Sequence, residues 1–211
     1  MKDLVLLVAD KNMQATLRGI LIRPEAMGIR PLSFDIRVHP GRDGGSRTSG
    51  AAVLAVERRR FDHALLIFDL AGSGAGTDDP EFLEKQLNAT LAAQWEDRAK
   101  AIVIAPELDT WMWGADSALR EVFIWPLNEP IRHWLMGKGF RFDTAGKPVQ
   151  PKEALEAIVR VHRQARSSAL YGKIAGKLSL KRCHDAAFVR MRTQLQLWFP
   201  PLVQGMVNAV K

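Results

Sequence analysis

The sequence predicts an α/β fold: a four-stranded, mainly parallel sheet with helices on both faces, followed by a C-terminal basic helical extension. Three observations predict it. Apolar runs of strand length recur at 4–9, 64–68 and 101–105, and a fourth, alternating run lies at 32–38. Stretches with apolar residues at helical spacing separate these runs, as the crossovers of a parallel sheet require. The charge is also divided: residues 1–129 carry 15 Lys and Arg against 19 Asp and Glu, a net −4, whereas residues 130–211 carry 15 against 4, a net +11.

Taken in order, the first run ends at Asp10, which is placed to cap a helix carrying Met13, Leu17, Ile20 and Leu21 on one side, closed by Pro24 and Gly28. The run 32–38 alternates apolar and polar residues, which suits a strand at the sheet edge. Four glycines and two arginines in 39–50 predict a loop whose N–H and guanidinium groups could meet phosphate, with a short helix at 51–60. The strand 63–69 ends in Asp69 and runs into a second glycine-rich loop, 71–76. That loop lacks the Gly-Lys-Ser/Thr ending of a P-loop, and its backbone leaves room beside Asp69 for a ligand.

Pro80 opens a helix to residue 94 with Leu83, Leu87 and Leu91 as its buried stripe. The strand 101–105 completes the β-α-β-α-β-α-β series. Beyond Trp113 the pattern predicts helices at 121–125 and 129–136, a loop or small hairpin at 137–148, and helices at 151–164 and 169–176. A last helix carries Phe188, Met191, Leu195 and Trp198 and stops at Pro200. The expected division is an α/β core at 1–125 and a basic helical subdomain at 126–211 packed on it.

With 211 residues and 47% hydrophobic content the chain can bury a full core. Cys183 is its one cysteine, which excludes an internal disulfide or thiolate zinc site. No apolar run reaches the length of a membrane span and no signal sequence precedes the first strand, so a cytoplasmic protein without a membrane partner is expected. The basic half fits a phosphate polyanion or a solubilising helical surface. Trp111, Trp113, Trp125 and Trp134 could stack on bases, although burial between sheet and helices suits them better.

Acids at the ends of parallel strands carry the chemistry. Asp10, Asp69 and Glu107 each follow an apolar run, and Asp109 stands two residues beyond Glu107. Carboxylates gathered there are hard oxygen ligands suited to Mg²⁺ or Mn²⁺, and a metal so held would support phosphodiester hydrolysis. Asp69 would also suit the phosphoacceptor of a response-regulator receiver, but this chain has neither the acidic pair after its first strand nor a fifth strand with a lysine.

Asp10, Asp69 and the Pro106-Glu107-Leu108-Asp109-Thr110-Trp111 segment resemble the motifs of Toprim-like small bacterial proteins, relatives of the OLD-family nucleases. The wording around Asp10 and around residues 166–171 is similar to that of the small component of methylation-associated phage-defence systems. The resemblance implies a Toprim-like sheet, a metal site of Asp10, Asp69 and Glu107, and nucleic acid and other defence proteins as partners. Two departures mark this chain. Asp10 stands where the family has Glu, and no second acid follows Asp69, where Leu70 and Ala71 stand; Asp109 is the candidate replacement.

Two functions follow. In the first, a Mg²⁺- or Mn²⁺-dependent nuclease of a defence system uses Asp10, Asp69, Glu107 and Asp109 as ligands, with Lys11 steadying developing charge. Lys152, Arg163, Arg166, Lys173, Lys177, Lys181, Arg190 and Arg192 then form its nucleic-acid surface. In the second, the degenerate acidic site is not catalytic, and the protein is a subunit that binds nucleic acid or partner proteins.

Overall fold

The computed structural model describes residues 1–114, 116–126 and 128–202 of the chain. The first part alternates as expected: β1 (Lys2–Val8), α1 (Lys11–Leu21), the single turn α2 (Pro24–Met27), β2 (Phe34–Val38), α3 (Arg42–Ala55), β3 (Phe61–Asp69), α4 (Pro80–Trp95) and β4 (Ala99–Ile104). All strand pairs are parallel, in the order β2-β1-β3-β4. Leu4 to Val8 and Ala64 to Phe68 are buried without a break, because helices cover both faces of the central strands. β2, the alternating run, is an edge strand.

This order places a switch point between β1 and β3. The chain leaves β1 for β2 on one side and later returns to β3 on the other. The crevice outside the carboxyl ends of these two strands is where open α/β sheets bind ligands. Asp10 and Asp69 stand at those ends. The other edge, β4, is closed by side chains of α4: Ala101 and Val103 donate their N–H groups to Asn88 Oδ1 and Glu84 Oε1, both at 2.8 Å. Neither donor remains open to another chain.

One expectation is corrected here. Residues 42–50, read as a loop, are the first turns of α3, and no separate helix occupies 51–60. Glycines there serve close packing rather than a turn. A Cβ on Gly45 would lie 2.5 Å from the His39 imidazole, which accepts from the Gly41 N–H at 3.0 Å and meets Ser49 Oγ at 3.0 Å. Glycine punctuation signals a loop only when nothing packs against it.

After β4 come α5 (Asp109–Met112), α6 (Asp116–Phe123), α7 (Ile131–Gly137), α8 (Pro151–Val161), α9 (Ser168–Ala175), a 3-10 turn (Leu180–Arg182) and α10 (Ala186–Trp198). The 137–148 segment makes one antiparallel bridge, Phe142 with Pro148. α9 packs along α1, and α10 lies against β4. One buried core joins Leu4 and Leu66 to Leu135, Leu155, Tyr171 and Phe188, so the packing runs through the expected division at 125. Residues 203–211 of the expected basic part lie outside the described residues. Among the described residues no helix is long and apolar enough to cross a membrane.

Candidate active site

Asp10, Asp69, Glu107 and Asp109 line one cavity of about 390 Å³ at the carboxyl edge of the sheet, together with Asp43. Each acid is delivered by a different local device. Asp10 caps α1, accepting the Met13 N–H at 2.8 Å through Oδ1. Asp69 ends β3 and holds the segment after β4 in place, since its Oδ1 accepts the Leu108 N–H at 2.9 Å. Asp43 enters from the first turn of α3, and its Oδ1 accepts the Asp69 N–H at 2.8 Å. Gly72 makes room for it: a Cβ there would lie 2.6 Å from Asp43 Oδ2.

Sequence reasoning missed Asp43. It sits on an element read as a loop, 26 residues from Asp69, and no spacing rule links the two. It stands beside Asp69, which is followed in sequence by Leu70 and Ala71 and not by another acid.

Burial first, and neighbouring acids next, raise the pKa values of Asp69, Asp43 and Glu107. Burial pushes Asp69 well above the ordinary carboxylate value, and the charges of Asp43, Asp10, Asp109 and Glu107 add to that. Burial also raises Asp43, opposed by the hydrogen bond from Asp69 and helped by the charge of Asp10. Glu107 is raised by burial and then by Asp109, against the pull of Lys152, whose Nζ lies 3.9 Å from Oε2. Such crowding of like charges favours protons or a cation in the cavity.

Asp109 differs from the others. The backbone turns helical at Leu108 (φ −50°, ψ −35°), so Asp109 begins α5 while Glu107 precedes it. It is 3% exposed. Tyr171 donates its hydroxyl to Oδ1 at 2.6 Å, and Arg166 Nη2 reaches Oδ2 at 3.1 Å. Arg166 Nε in turn donates to the Tyr171 oxygen at 2.6 Å. This buried carboxylate is already ion-paired and hydrogen-bonded, and it holds Arg166 against the cavity.

Other expected residues are redistributed. Lys11 is exposed at the first position of α1 and lines a neighbouring pocket with His39 and Pro40. Successive helical side chains are about 100° apart, and it is Asn12 that enters the acid cavity; the cations there are Arg42, Lys152 and Arg166. Arg190 binds Glu84 through Nη2 at 2.8 Å and Nε at 2.9 Å, tying α10 to α4. Arg192 donates to the Leu180 carbonyl, and Lys177 pairs with Glu121 at 2.6 Å. Arg163, Lys173 and Lys181 are exposed.

The tryptophans pack. Trp111 is 1% exposed and donates to Asp185, Trp113 donates to the Pro151 carbonyl, and Trp125 meets Trp134 edge to face.

Oxygen is the only donor type of this acid cluster, which fits Mg²⁺ or Mn²⁺. Among the described residues, no group of three or more His, Cys, Asp or Glu is arranged to hold a metal ion by itself. That still suits Mg²⁺, which usually takes one or two carboxylates and fills its remaining positions with water and substrate phosphate. No family model matches the chain, and no curated protein or solved structure matches it.

Proposed function

We propose that the protein is a divalent-metal-dependent nuclease, or another phosphodiester-processing component, of a cytoplasmic bacterial phage-defence system. The convergence of Asp10, Asp43, Asp69 and Glu107 with Arg42, Lys152 and Arg166 in one cavity at the switch point carries the reading. Its defence setting and defence-protein partners rest on the resemblance of residues 8–12, 106–111 and 166–171 alone.

Asp69, with one of its neighbours Asp43 or Asp10, would hold Mg²⁺ or Mn²⁺ through oxygens not already bonded to backbone N–H groups, leaving the remaining positions to water and substrate phosphate. The bound metal would neutralise phosphate charge and make a water more acidic. Glu107, with its raised pKa, is suited to accept a proton from that water. Arg42 and Lys152 attract phosphate oxygens. Arg166, held by Asp109, Glu156 and Tyr171, offsets the Asp109 charge at the cavity wall.

The absence of a complete metal-ligand group among the described residues favours a second reading, a non-catalytic subunit binding nucleic acid or a partner protein. A Mg²⁺ and Mn²⁺ titration with DNA and RNA separates the two. Cleavage by the wild type, lost at least a hundredfold in Glu107→Gln, supports the enzyme. Retained nucleic-acid affinity with neither metal binding nor cleavage supports the subunit.

A further inference from the structure

The acid cavity is one of a connected row of pockets. On its β2 side a pocket of about 340 Å³ shares Asp10, Asn12 and Arg42 with it. On its β4 side it shares Ala71 with a pocket of about 580 Å³ along the glycine loop, which in turn shares Pro106 with one of about 600 Å³. The row therefore crosses the carboxyl ends of all four strands. Three strand spacings at about 4.8 Å make about 14 Å, the reach of about four stacked nucleotides at about 3.4 Å each.

The last pocket is a built one. Pro106, Trp113, Pro148 and Val149 give it apolar walls. Thr110 lines it, is 8% exposed, and its hydroxyl has no hydrogen-bond partner. Arg182 and His184 stand at the same pocket, exposed and without a side-chain ion pair or hydrogen bond among the described residues. Apolar walls and the unpaired Arg182 guanidinium suit a nucleobase with its phosphate, and the two acids at the pocket, Asp143 and Asp185, are both bonded by Lys147. At the opposite end of the row, Lys11 and Arg42 supply positive charge.

We propose that a single strand of nucleic acid lies along this row, crossing the acid cavity and seating one base in the pocket behind Pro106 with its phosphate at Arg182. The proposal rests on the phosphodiester reading of the acid cavity. A duplex does not suit the site: its phosphates lie on a convex surface around a major groove about 12 Å wide, and the acid cavity holds about 390 Å³.

The test is fluorescence anisotropy with labelled DNA and RNA strands of one to six nucleotides and blunt duplexes of matched sequence, in EDTA so that no cleavage occurs. Arg182→Ala is compared with Arg58→Ala, which removes the same charge from an exposed residue at the opposite edge of the sheet. The expected result is affinity rising up to about four nucleotides and at least tenfold preference for single strands. Arg182→Ala weakens it about tenfold and Arg58→Ala less than twofold. Tighter binding of either DNA or RNA supports the proposal and names the polymer.

Equal losses in the two variants, equal affinity for duplex, or no strand binding by the wild type overturns it. Because no metal or cleavage enters this measurement, the Arg182 effect stands or falls separately from the Glu107 result.

Discussion

Asp69 concentrates the physics of the site in one side chain. Its folded-state pKa is raised well above the ordinary 3.8 by burial and by four neighbouring acids, so the folded chain keeps a proton that the unfolded chain has released. Ionising it therefore costs native stability. That cost is absent below about pH 3.8 and complete once the pH passes the folded pKa. In metal-free buffer Asp69→Asn, which keeps an oxygen for the Leu108 N–H, should melt at a higher temperature than wild type at pH 8. The gap should narrow toward pH 4. A wild type more stable than the variant at pH 8 would contradict the crowding described for the cavity. At this scale the sequence showed Asp10, Asp69 and Glu107, because each closes an apolar run. It concealed Asp43, which reaches the site from another element, and it could not reveal that Asp109 is already bonded to Tyr171 and Arg166.

Elements explain why the basic residues serve different purposes. Arg190 on α10 crosses to Glu84 on α4, a carboxylate only 7% exposed at its side chain, which also accepts the Val103 N–H of the edge strand. Removing one partner strands the other charge in a buried place. Arg190→Ala should lower stability by about 3 kcal/mol in urea unfolding, whereas exposed Lys173→Ala should change it by less than about 0.5 kcal/mol. Comparable small effects for both would show that Arg190 is a surface residue after all. Periodicity revealed most helices, and the cap expected at Asp10 is formed, its side chain accepting from Met13. It failed at α3, where the glycines are set by what the helix touches, the nearby His39 ring at Gly45 and the β3 side chain of Leu66 at Gly50, and not by helical spacing.

For the molecule as a whole, the parallel sheet was legible because its buried strands are continuous apolar runs separated by helical stretches. Strand order was not, since nothing local distinguishes β2-β1-β3-β4 from its alternatives; yet that order creates the crevice where the acids meet. The charge asymmetry was real in the sequence but did not show which cations are committed: Arg166, Arg190 and Arg192 bond partly buried partners, whereas Lys177 pairs with Glu121 at the surface and Arg163, Lys173 and Lys181 are exposed. We propose that acids at the β1–β3 switch point hold a hard divalent cation. Mn²⁺ binding followed by electron paramagnetic resonance, with Mg²⁺ as competitor, tests it most directly. Saturable Mn²⁺ binding by the wild type, displaced by Mg²⁺ and weakened at least tenfold in Asp69→Asn, is the expected result. Equal Mn²⁺ binding by both proteins, or none by the wild type, would contradict it.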